Sequence, residues 1–301
     1  MKIKEVIARK IFDSNGNNAI EVEVNGSKAS IGSGASTSNY AVLPYPEDIN
    51  KLVSLVNKTF SKDLKGVQIE NFNDLDKIER YVKGHDFSDS LEKIGGNILV
   101  AIELAVLKSF SDEPLYKTLG VKKIKKMPIP LGNCIEGGKH TMGRGPDFQE
   151  FLVLPSTKKF DVAAEINVEI FHKAKEELKK RDRNFYGGRT MEGGWNCSLS
   201  NLEVISLLKK IADDVGKEYS TEVRLGLDVA GDSLWNGRRY EYKNFSRAQQ
   251  KRNISKEEQI DLIRKTIKNN DLGYVEDPLN DGDFDGFEEL NKEHCLICGD
   301  D

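Results

Sequence analysis

From Lys2 to Ile31 apolar and polar residues alternate in three short runs. Period-two alternation predicts half-buried strands over Lys2–Phe12, Ala19–Val24 and Ser27–Ile31, with a turn at Ser14–Asn18. Asn25-Gly26 between the last two runs has the form of a type I′ hairpin turn. After a Gly/Ser loop the period lengthens to three or four, predicting helices over Glu47–Leu64, Asn73–Lys83 and Ile98–Phe110. The basic run Lys122–Lys126 reads as a solvated linker.

Beyond Met127 short apolar runs alternate with longer amphipathic ones. Strands are predicted over Met127–Leu131, Phe151–Leu154, Val223–Val229, Gly273–Val275 and Cys295–Cys298. Helices are predicted over Phe160–Lys180, from Ser200 to Val215, from Ser255 to Asn270, and over Phe284–Lys292. Ser200-Asn-Leu-Glu203 and Ser255-Lys-Glu-Glu258 both have the form of a capping box. Strands separated by helices predict βα units and a parallel sheet.

Composition adds limits. With 301 residues, 38% of them hydrophobic, the chain can bury a sizeable core in two domains. A net charge of −4 gives no electrostatic reason to expect nucleic acid or an anionic membrane as partner. The longest apolar stretch, Ile98–Leu107, is too short and interrupted to span a bilayer, and Met1-Lys2-Ile3-Lys4 leads into folded-looking sequence without a leader pattern, so a cytoplasmic location is expected. Cys295 and Cys298 have the spacing of a metal knuckle, but no second pair or spaced His completes a zinc site. Reduced thiols buried in a strand are expected instead.

The informative feature is a set of acids standing where apolar runs stop. Arg224-Leu-Gly-Leu-Asp228, Leu272-Gly-Tyr-Val-Glu276 and Cys295-Leu-Ile-Cys-Gly-Asp300 share this form. On neighbouring strands of a barrel, Asp228, Glu276 and Asp300 would converge at its C-terminal mouth, where such barrels do chemistry. Any one of them could simply cap the next helix. Three together repel unless a hard cation sits among them, and oxygen-only ligands favour Mg²⁺. Glu150, directly before a strand, and Glu192, in Met191-Glu-Gly-Gly-Trp195, read as either loop acids or site residues. His140, after Gly137-Gly138-Lys139, is a candidate polar contact. The loop Gly32-Ser-Gly-Ala-Ser-Thr37 lacks the Lys of a P-loop and fits a lid with Ser36 in reach of a ligand.

Taken together the motifs resemble enolase in order and spacing. They are Asp13-Ser14 with Gly16-Asn17, Ser33–Thr37, Met127-Pro-Ile-Pro130 with Asn133, Gly137-Gly138 with His140, and Gln149-Glu150-Phe151. Glu192-Gly-Gly, Asp228-Val-Ala, Glu276-Asp-Pro and Gly299-Asp-Asp301 complete the set. The resemblance implies an α+β N-terminal capping domain at residues 1–121, then an incomplete TIM-type β/α barrel at residues 127–301. It implies reversible Mg²⁺-dependent dehydration of 2-phosphoglycerate to phosphoenolpyruvate. Asp228, Glu276 and Asp300 would hold the catalytic ion, and Ser36 would ligate a second Mg²⁺. Glu192, assisted by Glu150, would serve the acid side, while His140 contacts substrate. A homo-oligomer is expected of the complete form.

Three departures stand out. Asn15 replaces the usual Arg after the first Asp-Ser; Asn39–Pro46 replaces the usual Glu- and Arg-containing segment; and the stretch from His140 to Gln149 is one residue longer than usual. In enolases the strands that follow supply the base Lys, a His-Arg-Ser phosphate-binding segment and a further Lys. None stands within the 301 residues, and positions 127–301 are fewer than the roughly 250 of a typical eight-stranded barrel. The expectation is an enolase needing a further segment or a second polypeptide to complete the barrel, inactive as this chain alone. The alternative is a non-catalytic interaction protein, or a truncated gene product, that keeps the front of the fold.

Overall fold

The computed structural model describes residues 1–34, 38, 40–110, 113–120, 124–142, 145–242 and 253–301. The chain divides into two compact units, one of Met1–Gly34 with Tyr40–Lys125, the other centred on Lys126–Asp301.

In the first unit β1 (Val6–Phe12), β2 (Asn18–Val24) and β3 (Ser27–Ser30) form an antiparallel meander in that order. Asn25 and Gly26 both have positive φ, as the type I′ turn requires. The alternation is realised: Ile20, Val22 and Val24 face inward and are fully buried. The predicted helix over Glu47–Leu64 is α1 (Ile49–Leu55), a π-helical turn (Val56–Phe60) and α2 (Ser61–Asp63). The π turn carries Asn57, whose side chain accepts from the Ala8 N–H (2.7 Å) and donates to the Ala8 carbonyl (3.0 Å). It thereby satisfies both backbone groups of that residue on β1. A 3₁₀ turn (Phe72–Leu75) leads into α3 (Asp76–Asp86); α4 (Gly96–Lys108) then covers β2 and β3, and α5 (Leu115–Thr118) follows.

The second unit is built on a six-stranded sheet. Its strands are β4 (Gly132–Glu136), β5 (Glu150–Pro155), β6 (Trp195–Asn196), β7 (Val223–Asp228), β10 (Tyr274–Glu276) and β11 (Leu296–Cys298). Their order is β11-β10-β7-β5-β4-β6, an arc whose two ends do not pair with each other. A side ribbon joins β8 (Tyr240–Glu241) to β9 (Asn253–Ile254). Helices α6 (Phe160–Arg181), α7 (Asn201–Glu218), α9 (Lys256–Asn270) and α10 (Phe284–Leu290), with the short α8 (Gly231–Leu234), complete the unit. Ser200 and Ser255 each close the predicted capping box, at α7 and α9.

Three expectations are corrected. Met127–Leu131 is not a strand; pairing begins at Gly132, because Pro128 and Pro130 have no N–H to donate to a ladder. Nor is the sheet wholly parallel: β5 runs antiparallel to both β4 and β7. Among the described residues of 137–149, which join β4 to β5, there is no crossover helix of the kind that a parallel pair requires. Finally, Cys295 and Cys298 are free but only half-buried, since β11 lies at the edge of the arc.

Ile166, Ile170, Ala174 and Leu178 of α6 and Val204, Leu208, Ala212 and Val215 of α7 present inward stripes to the core beneath β5 and β7. Phe151, 1% exposed in β5, lies in that core. Phe151→Ala is expected to destabilise this unit by about 3–5 kcal/mol, read as an earlier urea midpoint with unchanged slope.

Candidate functional site

The strand register lines up four carboxylates. Glu136 pairs with Glu150, Glu150 with Asp228, and Asp228 with Glu276. Directly paired residues project from the same face, and neighbouring strands lie about 4.8 Å apart. Glu136, Asp228 and Glu276 each end a strand, whereas Glu150 opens one. The reversal of β5 brings that N-terminal acid to the rim where the other strands have their C-termini. An acid preceding its strand therefore belongs to the same row as acids that end theirs.

One end of the row is carboxylate-rich. Asp228, Glu276 and Asp277 each offer an oxygen within 4.8 Å of the others, as do Asp277, Asp300 and Asp301. Asp277 is thus shared, and Asp300 joins the group through it. Asp277 has positive φ (40°), turning its backbone so that its carboxylate accepts from the N–H groups of Asp300 (2.8 Å) and Asp301 (3.1 Å). Asp228 accepts from the Ala230 N–H (2.8 Å) and Gln149 Nε2 (2.9 Å). Tyr274 donates its hydroxyl to Glu276 at 2.6 Å. Among the described residues no Lys or Arg makes an ion pair or hydrogen bond to Asp228, Glu276 or Asp277. Burial, with the charges of Glu276 and Asp277, pushes Asp228 up to about 7. Glu276 and Asp277 are raised too, by burial first and by neighbouring carboxylates after it. Buried and partly buried acids that resist ionisation beside one another, with oxygen donors alone, fit a hard divalent cation.

The other end of the row holds an acid–imidazole group. His140, Glu150 and Glu192 each offer an atom within 4.8 Å of the others. His140 stands on a 3₁₀ turn (Gly138–Thr141) entered through Gly137. A side chain at Gly137 would collide with the Pro146 and Phe148 carbonyls, so the turn needs glycine there. Glu150 is pushed up to about 9, by burial first, then by the hydrogen bond it shares with Glu192 and the charge of Asp228.

Two further residues of this rim, Asp277 and Glu136, are not marked by the sequence pattern alone. Asp277 follows Glu276 directly. Glu136 is fully buried and receives Asn133 Nδ2 (2.9 Å), the Gly194 N–H (2.6 Å), His140 Nδ1 (2.7 Å) and the Thr190 hydroxyl. Burial opposes its charge, but these donors hold its carboxyl below the usual range. The local signal for Glu136 is that Asn133-Cys-Ile-Glu136 is another apolar run stopping at an acid. Ser36, expected on a lid, lies outside the described residues.

An α+β unit followed by an arc of barrel strands, with acids along the strand-end rim, defines a barrel protein of the kind that does its chemistry at that rim. Residues 3–119 match the family model described as "Enolase, N-terminal domain", and residues 124–301 match "Enolase, C-terminal TIM barrel domain". The chain is 35% identical over 315 residues to the enolase of Methanothermobacter thermautotrophicus, covering 99% of this chain and 73% of that one. It is 35% identical to the Pyrobaculum aerophilum enolase and 36% to that of Archaeoglobus fulgidus, each covering 100% of this chain and 74% of the relative. The chain belongs to the enolase family. Its open arc of strands is an incomplete form of the family's barrel. No helix among the described residues is long and apolar enough to cross a membrane.

The raised Glu150 carboxyl sets a pH dependence. Folded, it holds its proton up to about 9; unfolded, it loses it near the ordinary carboxyl value of 4.5. Between those values the native state binds more protons, so stability falls as pH rises. In metal-free buffer, Glu150→Gln should flatten this decline, measured by urea unfolding across that range.

Proposed function

We propose that this chain carries the cation-holding and proton-donating parts of a Mg²⁺-dependent lyase acting on 2-phosphoglycerate and phosphoenolpyruvate. The observation that carries the reading is the row Glu136–Glu150–Asp228–Glu276, divided into an acid end and a carboxylate end. Asp228, Glu276 and Asp300 would hold Mg²⁺, with Asp277 between them, and Ser36 would ligate a second ion. When bound, Mg²⁺ supplies the positive charge that stabilises a substrate carboxylate as it gains negative charge.

The chain's own residues supply the proton. Glu150 and Glu192 share one through their hydrogen bond, and burial keeps Glu150 protonated at neutral pH. A proton held there can be given to a β-hydroxyl leaving as water. His140, seated against Glu136 and 1% exposed in its side chain, presents its outer face to Glu192 at 3.6 Å. It would contact substrate from there. The base and phosphate-binding groups implied by the resemblance belong to strands beyond β11 in the family's order. We propose that the complete site needs them, from a further segment or a second polypeptide, and that residues 1–301 alone leave 2-phosphoglycerate unconverted.

Calorimetric titration of residues 1–301 with Mg²⁺ tests the reading. Saturable binding is expected, strengthening as pH rises through about 7, because the proton on Asp228 competes with the ion. Asp228→Asn should remove it. Equal Mg²⁺ binding by the wild type and this variant would contradict the assignment.

A further inference from the structure

Asparagine is followed by glycine at Asn15-Gly16, Asn25-Gly26 and Asn236-Gly237. Each of these glycines has positive φ, and nothing lies within 4 Å of where a side chain on it would stand. The backbone nitrogen after each asparagine is therefore sterically open. The asparagines themselves differ. Asn25 Oδ1 accepts from the N–H groups of Lys4 (2.7 Å) and Glu5 (3.3 Å), and its Nδ2 donates to the Lys2 carbonyl (3.0 Å). Asn236 Oδ1 accepts from the N–H groups of Arg238 (3.0 Å) and Arg239 (2.8 Å), and its Nδ2 donates to Glu241. Both amides are held at both ends. Asn15 is exposed, and among the described residues its side chain makes no hydrogen bond; only its backbone N–H is engaged, by the Asp13 carboxylate at 2.9 Å.

We propose that Asn15 is a site of spontaneous deamidation in the folded protein, converting to aspartate and isoaspartate while Asn25 and Asn236 are protected. The step needs only water. The Gly16 backbone nitrogen gives its proton to hydroxide and attacks Cγ of Asn15; the N–Cγ bond forms, the Cγ–Nδ2 bond breaks and ammonia leaves. Water then opens the succinimide at either carbonyl, leaving the main chain on its original path or rerouted through the side-chain carbon. In the fold the Gly16 N–H donates to the Asp13 carbonyl at 3.1 Å, a single bond at the tip of an exposed turn that has to open first. At Asn25 and Asn236 the side-chain hydrogen bonds must break as well. The Asp13–Asn17 turn closes the link between β1 and β2: the Asp13 N–H donates to the Asn17 carbonyl (2.9 Å), and the Asp13 carboxylate accepts from the Asn17 N–H (2.8 Å). Isoaspartate adds an atom to the main chain of this turn. Either product sets a second negative charge near Asp13, whose carboxyl the N–H groups of Asn17 and Asn15 hold below the usual range. Deamidation therefore loosens the Phe12–Asn18 end of the β1–β2 ladder in one direction only. None of this depends on the lyase reading.

The test is incubation of residues 1–301 in mildly alkaline buffer, folded and in parallel in urea, followed by peptide mapping with mass spectrometry and enzymatic methylation of isoaspartate. In the folded chain the unmodified peptide carrying Asn15 should be lost, with those carrying Asn25 and Asn236 unchanged over the same time. In urea all three should convert, because the protecting hydrogen bonds are gone. Asn15→Gln should remove the isoaspartate formed by the folded chain. Because the Asn15 side chain is exposed and unbonded, this variant should keep the urea midpoint of the wild type. Asn15 that stays intact in the folded chain while converting in urea would overturn the proposal. So would conversion of Asn25 or Asn236 as fast as Asn15 in the folded chain, or isoaspartate that persists in Asn15→Gln.

Discussion

Like charges on adjacent strands repel, and the rim of this sheet places four carboxylates in one register row with three more aspartates just beyond it. The fold tolerates the row only by treating its members differently. Glu136 stays ionised, although burial opposes it, because four donors surround it. Glu150 is held neutral by burial and by sharing a proton with Glu192. Asp228, Glu276 and Asp277 have few donors and no cationic side chain among the described residues, so burial and mutual repulsion push all three up. On the proposed reading one row would then offer a fixed anion, a stored proton and a cation site, according to what each carboxylate can hydrogen-bond to.

The two ends of the row communicate through Gln149 and Asp228. Gln149 precedes Glu150 and donates to Asp228, while the charge of Asp228 raises Glu150. Neutralising Asp228 with a bound cation would ease Glu150 toward ionisation. On the proposed reading proton supply and cation binding would be linked across about one strand spacing.

Much of the fold was legible because period-two and period-three-to-four patterns are local. The hairpin at Asn25-Gly26, both capping boxes and the inward stripes of α6 and α7 follow from residues close in sequence. The strand-end acids at Asp228 and Glu276 were legible for the same reason. What escaped was non-local. The reversal of β5 depends on which strands it lies between, and no pattern inside Phe151–Leu154 reports direction. Without it, Glu150 looked displaced from the row that it in fact joins. Glu136 was hidden because the strand was assigned to the apolar residues of Met127–Leu131, whose two prolines cannot donate to a ladder, and not to Gly132–Glu136. The role of Asp277 comes from a positive-φ turn, which nothing in Glu276-Asp-Pro278 marks locally.

The proposed function depends on a divalent cation being held among Asp228, Glu276, Asp277 and Asp300. Diffraction from crystals of residues 1–301 grown with Mn²⁺, which scatters anomalously where Mg²⁺ does not, locates such an ion directly. An anomalous peak within coordination distance of Asp228, Glu276 and at least one of Asp277 or Asp300 is the predicted result. Saturating Mn²⁺ with no peak at that rim, or with the ion only on other carboxylates of the surface, would contradict it.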